Sequence, residues 1–179
     1  MKNEKKENVV LSYISTFAFA IILALLIRTF IFSSNMVMGE SMQPTLHQND
    51  RLIAMILPLR FKDPERSDIV IIDAPDEKGK EYIKRLIGKP GDTVEIKGGE
   101  VYLNDSKLQE SYIDSGVYTE IYDQSSWTLG ENEFFVMGDN RNPGKSLDSR
   151  YFGPVKKDAI KGVVKFRFWP FSDFGIIGG

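Results

Sequence analysis

The 179-residue chain has no cysteine and only one histidine, His47. Without cysteine it forms neither disulfides nor zinc–thiolate sites, and a cysteine nucleophile is excluded. One histidine cannot build a multi-histidine metal site, so a hydrolytic mechanism would need a general base of another residue type. We therefore expect no metal and no cofactor.

The chain also lacks an excess of charge of either sign, with 23 Lys and Arg against 25 Asp and Glu and a formal net charge of -2. This balance supplies no basic surface for a phosphate backbone, so nucleic acid is not an expected partner. With 42% hydrophobic and 27% charged residues, the composition is that of a folded protein. Its length leaves room for one soluble domain.

One long apolar segment lies near the amino terminus. No charged side chain occurs between Val9 and Ile27, and the apolar character continues to Phe32 with one arginine between. About 20 helical residues cross the ~30 Å hydrocarbon core of a bilayer, whereas a cleavable signal has an apolar part of only about 7 to 15. A buried core helix is the alternative, but residues 18–27 are apolar on every face. We predict an uncleaved transmembrane anchor over residues 9–32.

The charges that flank this segment predict its orientation. Three lysines among residues 1–8 favour a cytoplasmic amino terminus, although Arg28 at the far end reduces the charge asymmetry. This orientation places residues 33–179 on the extracytoplasmic side of the cell membrane.

Beyond the anchor, short runs rich in β-forming residues alternate with turn residues such as those of Lys89 to Asp92 and Lys97 to Gly99. Helical periodicity is almost absent between them. The sequence therefore predicts a mainly β catalytic domain, an antiparallel barrel or a sandwich-like pair of sheets. The predicted strands cover residues 51–55, 68–73, 81–87, 93–96, 100–103, 133–137 and 162–168.

A candidate nucleophile follows the anchor closely, in the segment from Gly39 to Leu46. A serine between a glycine and a Met-x-Pro-Thr turn can be held exposed on a rigid loop, and Gly39 lets the backbone approach a ligand closely. Read alone, this pattern could be no more than a turn. Ser41 is the nucleophile if the site is hydrolytic.

A candidate base lies in the predicted strand over residues 81–87. Side chains alternate along a strand, so Tyr82, Lys84 and Leu86 share one face. Desolvation among such neighbours lowers a lysine pKa from about 10.4 by several units, and a neutral Lys84 could then deprotonate Ser41. The alternative is that this lysine snorkels to the surface from an edge strand.

His47 is the other possible base, because a serine–histidine pair is common in hydrolases. It lies in a polar segment, residues 47–50, that is typical of a turn with an exposed histidine. Lys84 is the better base.

A polar loop over residues 138–150 follows the apolar strand predicted over 133–137. Asp-to-Arg bidentate pairs can lock such a loop, and a serine hydroxyl within it can orient a neighbouring amine. A solvated surface loop with incidental ion pairs is the alternative.

Together the three blocks resemble the type I signal peptidases of bacteria, in particular the small kind with one amino-terminal anchor. Residues 41–45 resemble the nucleophile box of that family, and residues 82–92 resemble its general-base box. Residues 138–141 with residues 146–150 resemble its last box. The resemblance covers nearly the whole chain.

The resemblance implies a serine–lysine dyad of Ser41 and Lys84, with the Ser41 backbone N–H in the oxyanion hole. It also implies a substrate that bears small side chains at the first and third positions before the cut, in the exported preproteins from which the enzyme removes signal peptides. We expect that substrate to add to a sheet as a strand, with its side chains in shallow pockets near Met42. Gly39 stands where some members carry a serine that assists the oxyanion.

The resemblance further implies four supporting residues in the last box. Ser146 would orient the Lys84 amine, and Asp139, Asp148 and Arg150 would brace the site. The stretch over 142–145 makes this box about two residues longer than the usual spacing, which bears on where Ser146 lies.

Membrane lipid and the protein export translocon are the other expected partners. Apolar runs over residues 55–59 and 168–171 are candidates for lipid contact, with core packing as the alternative. A self-cleaving repressor-type protease would carry a DNA-binding domain, and none is recognisable here. A tethered binding protein without catalysis would not need Ser41 and Lys84, and a sortase-like transpeptidase would need a cysteine.

Overall fold

The computed structural model describes residues 3–177, and it begins with a long helix, α1 (Asn3–Phe30). Its span Val9–Ile27 is long and apolar enough to cross a membrane, and none of it is buried in the protein. The alternative of a core helix is therefore wrong. The helix ends two residues before the predicted end of the anchor, where serines that favour helices weakly follow, and Phe32 already belongs to a strand.

The rest of the described chain is mainly β, as predicted. A short helix, α2 (Ser149–Phe152), and three turns of 3-10 helix at Leu57–Arg60, Lys157–Ala159 and Phe171–Asp173 interrupt the strands. The strands are β1 (Phe32–Met36), β2 (Arg51–Met55), β3 (Ile69–Asp73), β4 (Glu81–Gly88), β5 (Thr93–Lys97), β6 (Glu100–Leu103), β7 (Ser106–Lys107), β8 (Ser126–Thr128), β9 (Glu133–Met137), β10 (Val155–Lys156), β11 (Ile160–Trp169) and β12 (Gly175–Ile176).

The strands form two antiparallel sheets, which confirms the predicted fold class. The larger has the order β1-β2-β11-β3-β4-β9-β10, with β12 beside β11, and the smaller has the order β7-β6-β5-β8. All seven predicted strands are present, three with the predicted bounds and four with an end shifted by one or two residues. β1, β7, β8, β10 and β12 lie outside the predicted set because they are short or carry few apolar residues.

The apolar core explains why the central strands form. Residues 69–72 of β3 are buried on both faces, so this strand is a continuous apolar run rather than an alternating one. A further cluster joins the two sheets: Trp127 of β8 packs on Phe135 of β9 with ring centroids 4.7 Å apart. The smaller sheet is therefore attached to the strand that leads into the polar loop.

Two strand edges remain unpaired near each other. β9 pairs with β4 only from Arg85 onward, so residues 81–84 have a strand partner on one side alone among residues 3–177. β1 pairs with β2 on one side, and its other edge is likewise free within the described chain. Asn35 of β1 donates a hydrogen bond to Glu81 of β4 at 3.2 Å, so these free edges face a common cleft.

Candidate active site

Ser41 lies on the turn between β1 and β2. Gly39 has a φ of +88°, a left-handed conformation that glycine adopts readily, and the backbone changes direction there just before the serine. Just beyond, Met42 and Leu46 are fully buried in the core. The two apolar side chains anchor the turn while Ser41 stays partly exposed.

Asn140, in the loop after β9, also stabilises this turn through hydrogen bonds. Its backbone N–H donates to the carbonyl of Ser41 at 3.0 Å, and its side-chain amide donates to the carbonyl of Glu40 at 3.1 Å. The sequence alone does not indicate a role for Asn140. Two such bonds position the backbone on both sides of the Ser41 N–H.

Lys84 meets Ser41 from β4. The Lys84 side chain is only 3% exposed, and its Nζ lies 2.7 Å from the Ser41 Oγ. On β3, Val70 is its partner across the sheet, and the ring of Tyr82 lies 5.3 Å from the amine. The snorkelling alternative is therefore wrong, because the lysine points inward to the serine.

The surroundings of Lys84 set its protonation. Burial lowers its pKa from the ordinary 10.5 to about 8, in part offset by the negative charge of Asp148. The positive charge of Arg150 lowers the pKa of Lys84 further, and the negative charge of Asp139 raises it. A substantial fraction of the amine is therefore neutral in mildly alkaline solution and can accept a proton.

Asp148 is the central hydrogen-bond acceptor of the polar loop over residues 138–150. Its carboxylate accepts two bonds from the Arg150 guanidinium, both at 2.8 Å, one from the Gly138 N–H at 3.0 Å and one from the Ser146 hydroxyl at 2.7 Å. Burial alone would raise the pKa of Asp148, but these bonds hold it below its ordinary value. Asp148 and Arg150 thus lie beside the dyad as a buried ion pair.

Ser146 does not bond to Lys84 in the part of the chain that the structure describes. Its hydroxyl donates to Asp148, and the side chain is 2% exposed. The role of orienting the amine therefore stays a prediction. The site is nonetheless compact here, because a Cβ added to Gly138 would lie 2.3 Å from the Ser146 Oγ and 2.4 Å from the Ser41 carbonyl oxygen. Only glycine fits at this position.

Asp139 forms another buried ion pair, with Arg85. The Arg85 Nε and Nη2 donate to the two carboxylate oxygens at 2.8 and 2.6 Å, and Thr45 donates to the same carboxylate at 2.5 Å. Thr45 lies on the turn that carries Ser41. Asp139 therefore connects the strand of Lys84 to the turn of Ser41, a contact that spacing in the sequence does not reveal.

Residues 142–145, which make the last box longer than is usual in the family, form a turn. The Lys145 N–H donates to the Asn142 carbonyl at 3.1 Å, and Gly144 has a φ of +68°. The exposed Lys145 amine then pairs with Glu40 at 2.8 Å. Ser146 is thereby returned to the buried position beside Gly138.

A small cleft of roughly 80 Å³ opens beside the dyad. Ser41, Met42 and Lys84 line it together with residues 36–38 at the end of β1 and residues 81–83 of β4. Gly39 lies next to these lining residues in sequence, and a Cβ added to it would meet no atom within 4 Å. The cleft thus follows the two free strand edges and places the dyad at one side of them.

His47 is exposed, and its backbone N–H donates to Asp50 at 3.0 Å. This is the polar turn that the sequence predicted. Within residues 3–177 no group of three or more His, Cys, Asp or Glu side chains could hold a metal ion.

Comparison with known proteins bears on this site. The family described as "Signal peptidase, peptidase S26" matches residues 10–169. The chain belongs to the signal peptidase family. A "Signal peptidase I" of Bacillus licheniformis is 39% identical over 96% of this chain and 95% of that protein, and a "Probable signal peptidase I-2" of Synechocystis sp. is 38% identical over 98% and 81%. The crystal structure of a signal peptidase I from Enterococcus faecalis is 36% identical, covers 57% of this chain and 97% of that chain, and has a TM-score of 0.48.

Membership in this family confirms the predicted class of enzyme, a signal-peptide-cleaving serine peptidase of the serine–lysine kind. A signal peptidase acts on preproteins that bear signal peptides, which confirms that predicted partner. The self-cleaving repressor and the sortase are thereby set aside.

Proposed function

We propose that Ser41 and Lys84 are the nucleophile and the general base with which this signal peptidase cuts its substrates. The distance of 2.7 Å between Oγ and Nζ carries the proposal, since a base must lie within hydrogen-bond reach of the proton that it takes. A binding protein without catalysis would have no reason to bury a lysine against a serine.

The reaction proceeds in two halves. The neutral Lys84 amine takes the Ser41 proton as Oγ attacks the scissile carbonyl, and the resulting ammonium gives that proton to the leaving amine of the mature protein. The signal peptide is then held as an ester on Ser41. A water molecule, deprotonated by the same amine, attacks the ester, and the proton returns to Oγ as the acid leaves.

The negative oxygen of each tetrahedral intermediate needs a hydrogen-bond donor. The Ser41 N–H is our candidate, because no protein acceptor binds it in residues 3–177. Asn140 also fixes its orientation by binding the carbonyl before it, of Glu40, and the carbonyl after it, of Ser41. Gly39 brings no side-chain donor, and its positive φ would strain a serine at this position. We therefore expect the protein to supply backbone N–H donors, rather than side-chain donors, to the oxyanion.

The substrate fits between the two free strand edges. An extended peptide in the cleft could bond to residues 81–84 of β4 on one side and to the end of β1 on the other, as a strand added to the sheet. Its side chains would alternate, so the first and third before the cut point the same way. A cleft as small as this one beside Met42 accommodates small side chains at these positions.

The test is cleavage of a purified preprotein in detergent by the full-length chain, with the cut site read by mass spectrometry. We expect one cut after an Ala-x-Ala-like sequence, and none by Ser41→Ala. Substrates with alanine or phenylalanine at the third position before the cut form the matched pair. Equal cleavage of the two would contradict the proposed docking, whereas activity of Ser41→Ala would contradict the proposed nucleophile.

The pH dependence follows from Lys84. Its amine acts as a base only when neutral, so kcat/KM should rise with pH, reach half its maximum near pH 8, where the pKa of the buried group lies, and level off above it. Below this value each pH unit should reduce kcat/KM about tenfold. A bound peptide removes further water and lowers the pKa of the amine, so the limb of kcat should lie at lower pH. A profile that is flat from about pH 6 to pH 9 would contradict a lysine base.

The membrane topology belongs to the same proposal. The apolar helix supports a single-pass anchor in the cell membrane, and the lysines before Val9 support a cytoplasmic amino terminus. The catalytic domain, from about residue 33 onward, then lies on the extracytoplasmic side. There it can meet preproteins as they leave the export translocon, which we expect to lie nearby.

The two apolar runs differ in their place on the domain. Met55 pairs with Phe32 beside the end of α1, whereas Trp169 pairs with Arg51 at the other end of β2. Phe171 is 74% exposed and packs edge-to-face on Trp169. The described structure thus leaves the second run largely outside the core, which supports lipid contact through it.

Tryptophan fluorescence in reconstituted liposomes tests that contact. Because the anchor alone holds the full-length chain in the bilayer, the informative quantity is the environment of Trp169 rather than binding. We expect Trp169 fluorescence to shift to the blue on reconstitution and to be quenched by lipids brominated on their chains. Trp127, buried at 5% exposure in the core, is the internal control when Trp169→Phe is compared with the wild type. Quenching that persists unchanged in Trp169→Phe would exclude lipid contact by this run.

A further inference from the structure

Residues 108–125 connect β7 and β8 of the smaller sheet. In the first part of this connection, Glu110 contacts Arg141 and Tyr112 contacts Arg85, and both arginines are buried. We propose that Glu110 and Tyr112 are positioning residues that hold the Ser41–Lys84 dyad in register, a proposal that rests on the function proposed above for that dyad.

Tyr112 supports Arg85. The guanidinium carbon lies 3.9 Å from the centroid of the Tyr112 ring, and Arg85 is 2% exposed. Stacking on an aromatic face sets the plane of a guanidinium. A bidentate pair is sensitive to that plane, so the ring determines how Arg85 presents its two donors to Asp139. Lys84 is the neighbouring residue on the same strand.

Glu110 supports Arg141. Both terminal nitrogens of Arg141 donate to the Glu110 carboxylate, and the bond from Nη1 is 3.1 Å long. The Arg141 side chain is 0% exposed and the Glu110 side chain 6%. The Arg141 Nε donates to the Gly138 carbonyl at 2.9 Å. The Tyr112 hydroxyl also donates to Glu110, at 2.9 Å, so the two supports are joined to each other.

Both arginines stabilise the short segment of residues 138–141. Arg85 binds Asp139 from β4, and Arg141, the last residue of the segment, donates back to the Gly138 carbonyl. Between them, the Asn140 N–H binds the Ser41 carbonyl at 3.0 Å. A shift of this segment therefore moves Ser41 relative to Lys84, although neither Glu110 nor Tyr112 lines the cleft.

This arrangement assigns a task to the smaller sheet, whose strands contribute no residue to the cleft or the dyad. Removing the support should reduce kcat, because the reacting atoms are misplaced, and should leave KM nearly unchanged. A displacement of about 1 Å can reduce the rate by 10²-fold. A purely structural role would lower the thermal midpoint without this division between kcat and KM.

The experiment compares Tyr112→Leu and Tyr112→Phe in the full-length protein in detergent, with a peptide that spans a cleavage site. Phenylalanine keeps the ring under Arg85 and loses one hydrogen bond, whereas leucine loses the ring. We expect Tyr112→Leu to lower kcat about 10- to 100-fold with KM within about twofold. Tyr112→Phe should retain kcat within about threefold, the loss expected for one modest hydrogen bond.

Tyr102→Leu is the matched control, since Tyr102 on β6 also has a lysine over its ring, at 5.5 Å, and lies outside the cleft. Its kcat should equal that of the wild type. The proposal is overturned if Tyr112→Leu keeps full kcat, or if Tyr102→Leu loses as much. Both results differ from activity in Ser41→Ala, which would overturn the dyad itself.

Tyr112→Leu could fail to fold at the assay temperature, and Glu110→Gln then carries the test. Glutamine keeps the shape and one acceptor for Arg141 but removes the charge. We expect a kcat loss of at least about tenfold without a change in KM. Glu100→Gln, which removes one partner of an exposed pair with Lys107, is its control. A kcat of Glu110→Gln equal to that of Glu100→Gln would overturn the proposal.

Discussion

Replacing Lys84 with methionine is expected to lower kcat by about 10²- to 10⁴-fold, the usual contribution of a general base. The Ser41 hydroxyl would then lose the amine that lies 2.7 Å away. Methionine nearly matches the length of the lysine stem and suits a position that is 3% exposed, so the protein should stay folded. Steady-state cleavage of a peptide substrate with the thermal midpoint measured in parallel checks both statements.

Lys80→Met is the matched control for this substitution. Lys80 stands just before β4 and forms an exposed pair with Glu77, so its loss should leave cleavage unchanged. Ser41→Ala gives the floor of the assay. If Lys84→Met kept the activity of Lys80→Met, another residue would be the base and the proposed mechanism would be wrong.

Replacing Asp148 with asparagine is expected to lower the free energy of unfolding by about 3 kcal/mol or more, because Arg150 would keep its charge in a buried site without a charged partner. Their side chains are 0% and 1% exposed. The asparagine also places an amide where the Gly138 N–H or the Ser146 hydroxyl now donates. Chemical denaturation followed by circular dichroism measures the loss.

The same variant has a second readout in the pH profile. The negative charge of Asp148 raises the pKa of Lys84, so its removal should lower that pKa and move the acidic limb of kcat/KM to lower pH. Glu100→Gln, which disturbs an exposed pair in the smaller sheet, should change neither stability nor pH profile appreciably. A limb that moved to higher pH would show that Asp148 does not act on Lys84 as the geometry indicates.

Local patterns predicted most strands because each pattern depends on neighbours in sequence. The run over residues 69–72 is apolar throughout, and it is buried on both faces of the larger sheet. Short polar strands such as β7 carry no such pattern, since they exist only because β6 pairs with them. The helix ends two residues before the predicted end of the anchor for a related reason: Phe32 is apolar enough for a membrane, but it pairs with Met55 in a strand.

The alternation along β4 predicted correctly that Lys84 has an apolar side, and it did not predict the burial of Arg85. One of two neighbouring charged residues on a strand is ordinarily exposed, yet both are buried here. Arg85 is tolerated because Asp139, 54 positions away, accepts two of its bonds. Partners so distant in sequence are invisible to any local pattern.

The sequence by itself determined the apolar amino-terminal helix, the β-rich domain and the serine and lysine that we propose as the dyad, because hydrophobic length, strand periodicity and motif spacing are properties of neighbouring residues. Only the tertiary structure decided that Ser146 bonds to Asp148, that Asn140 holds the Ser41 turn, and that Glu110 and Tyr112 contact Arg141 and Arg85. These contacts join chain segments that meet through sheet pairing and core packing. Their geometry is therefore a property of the whole fold.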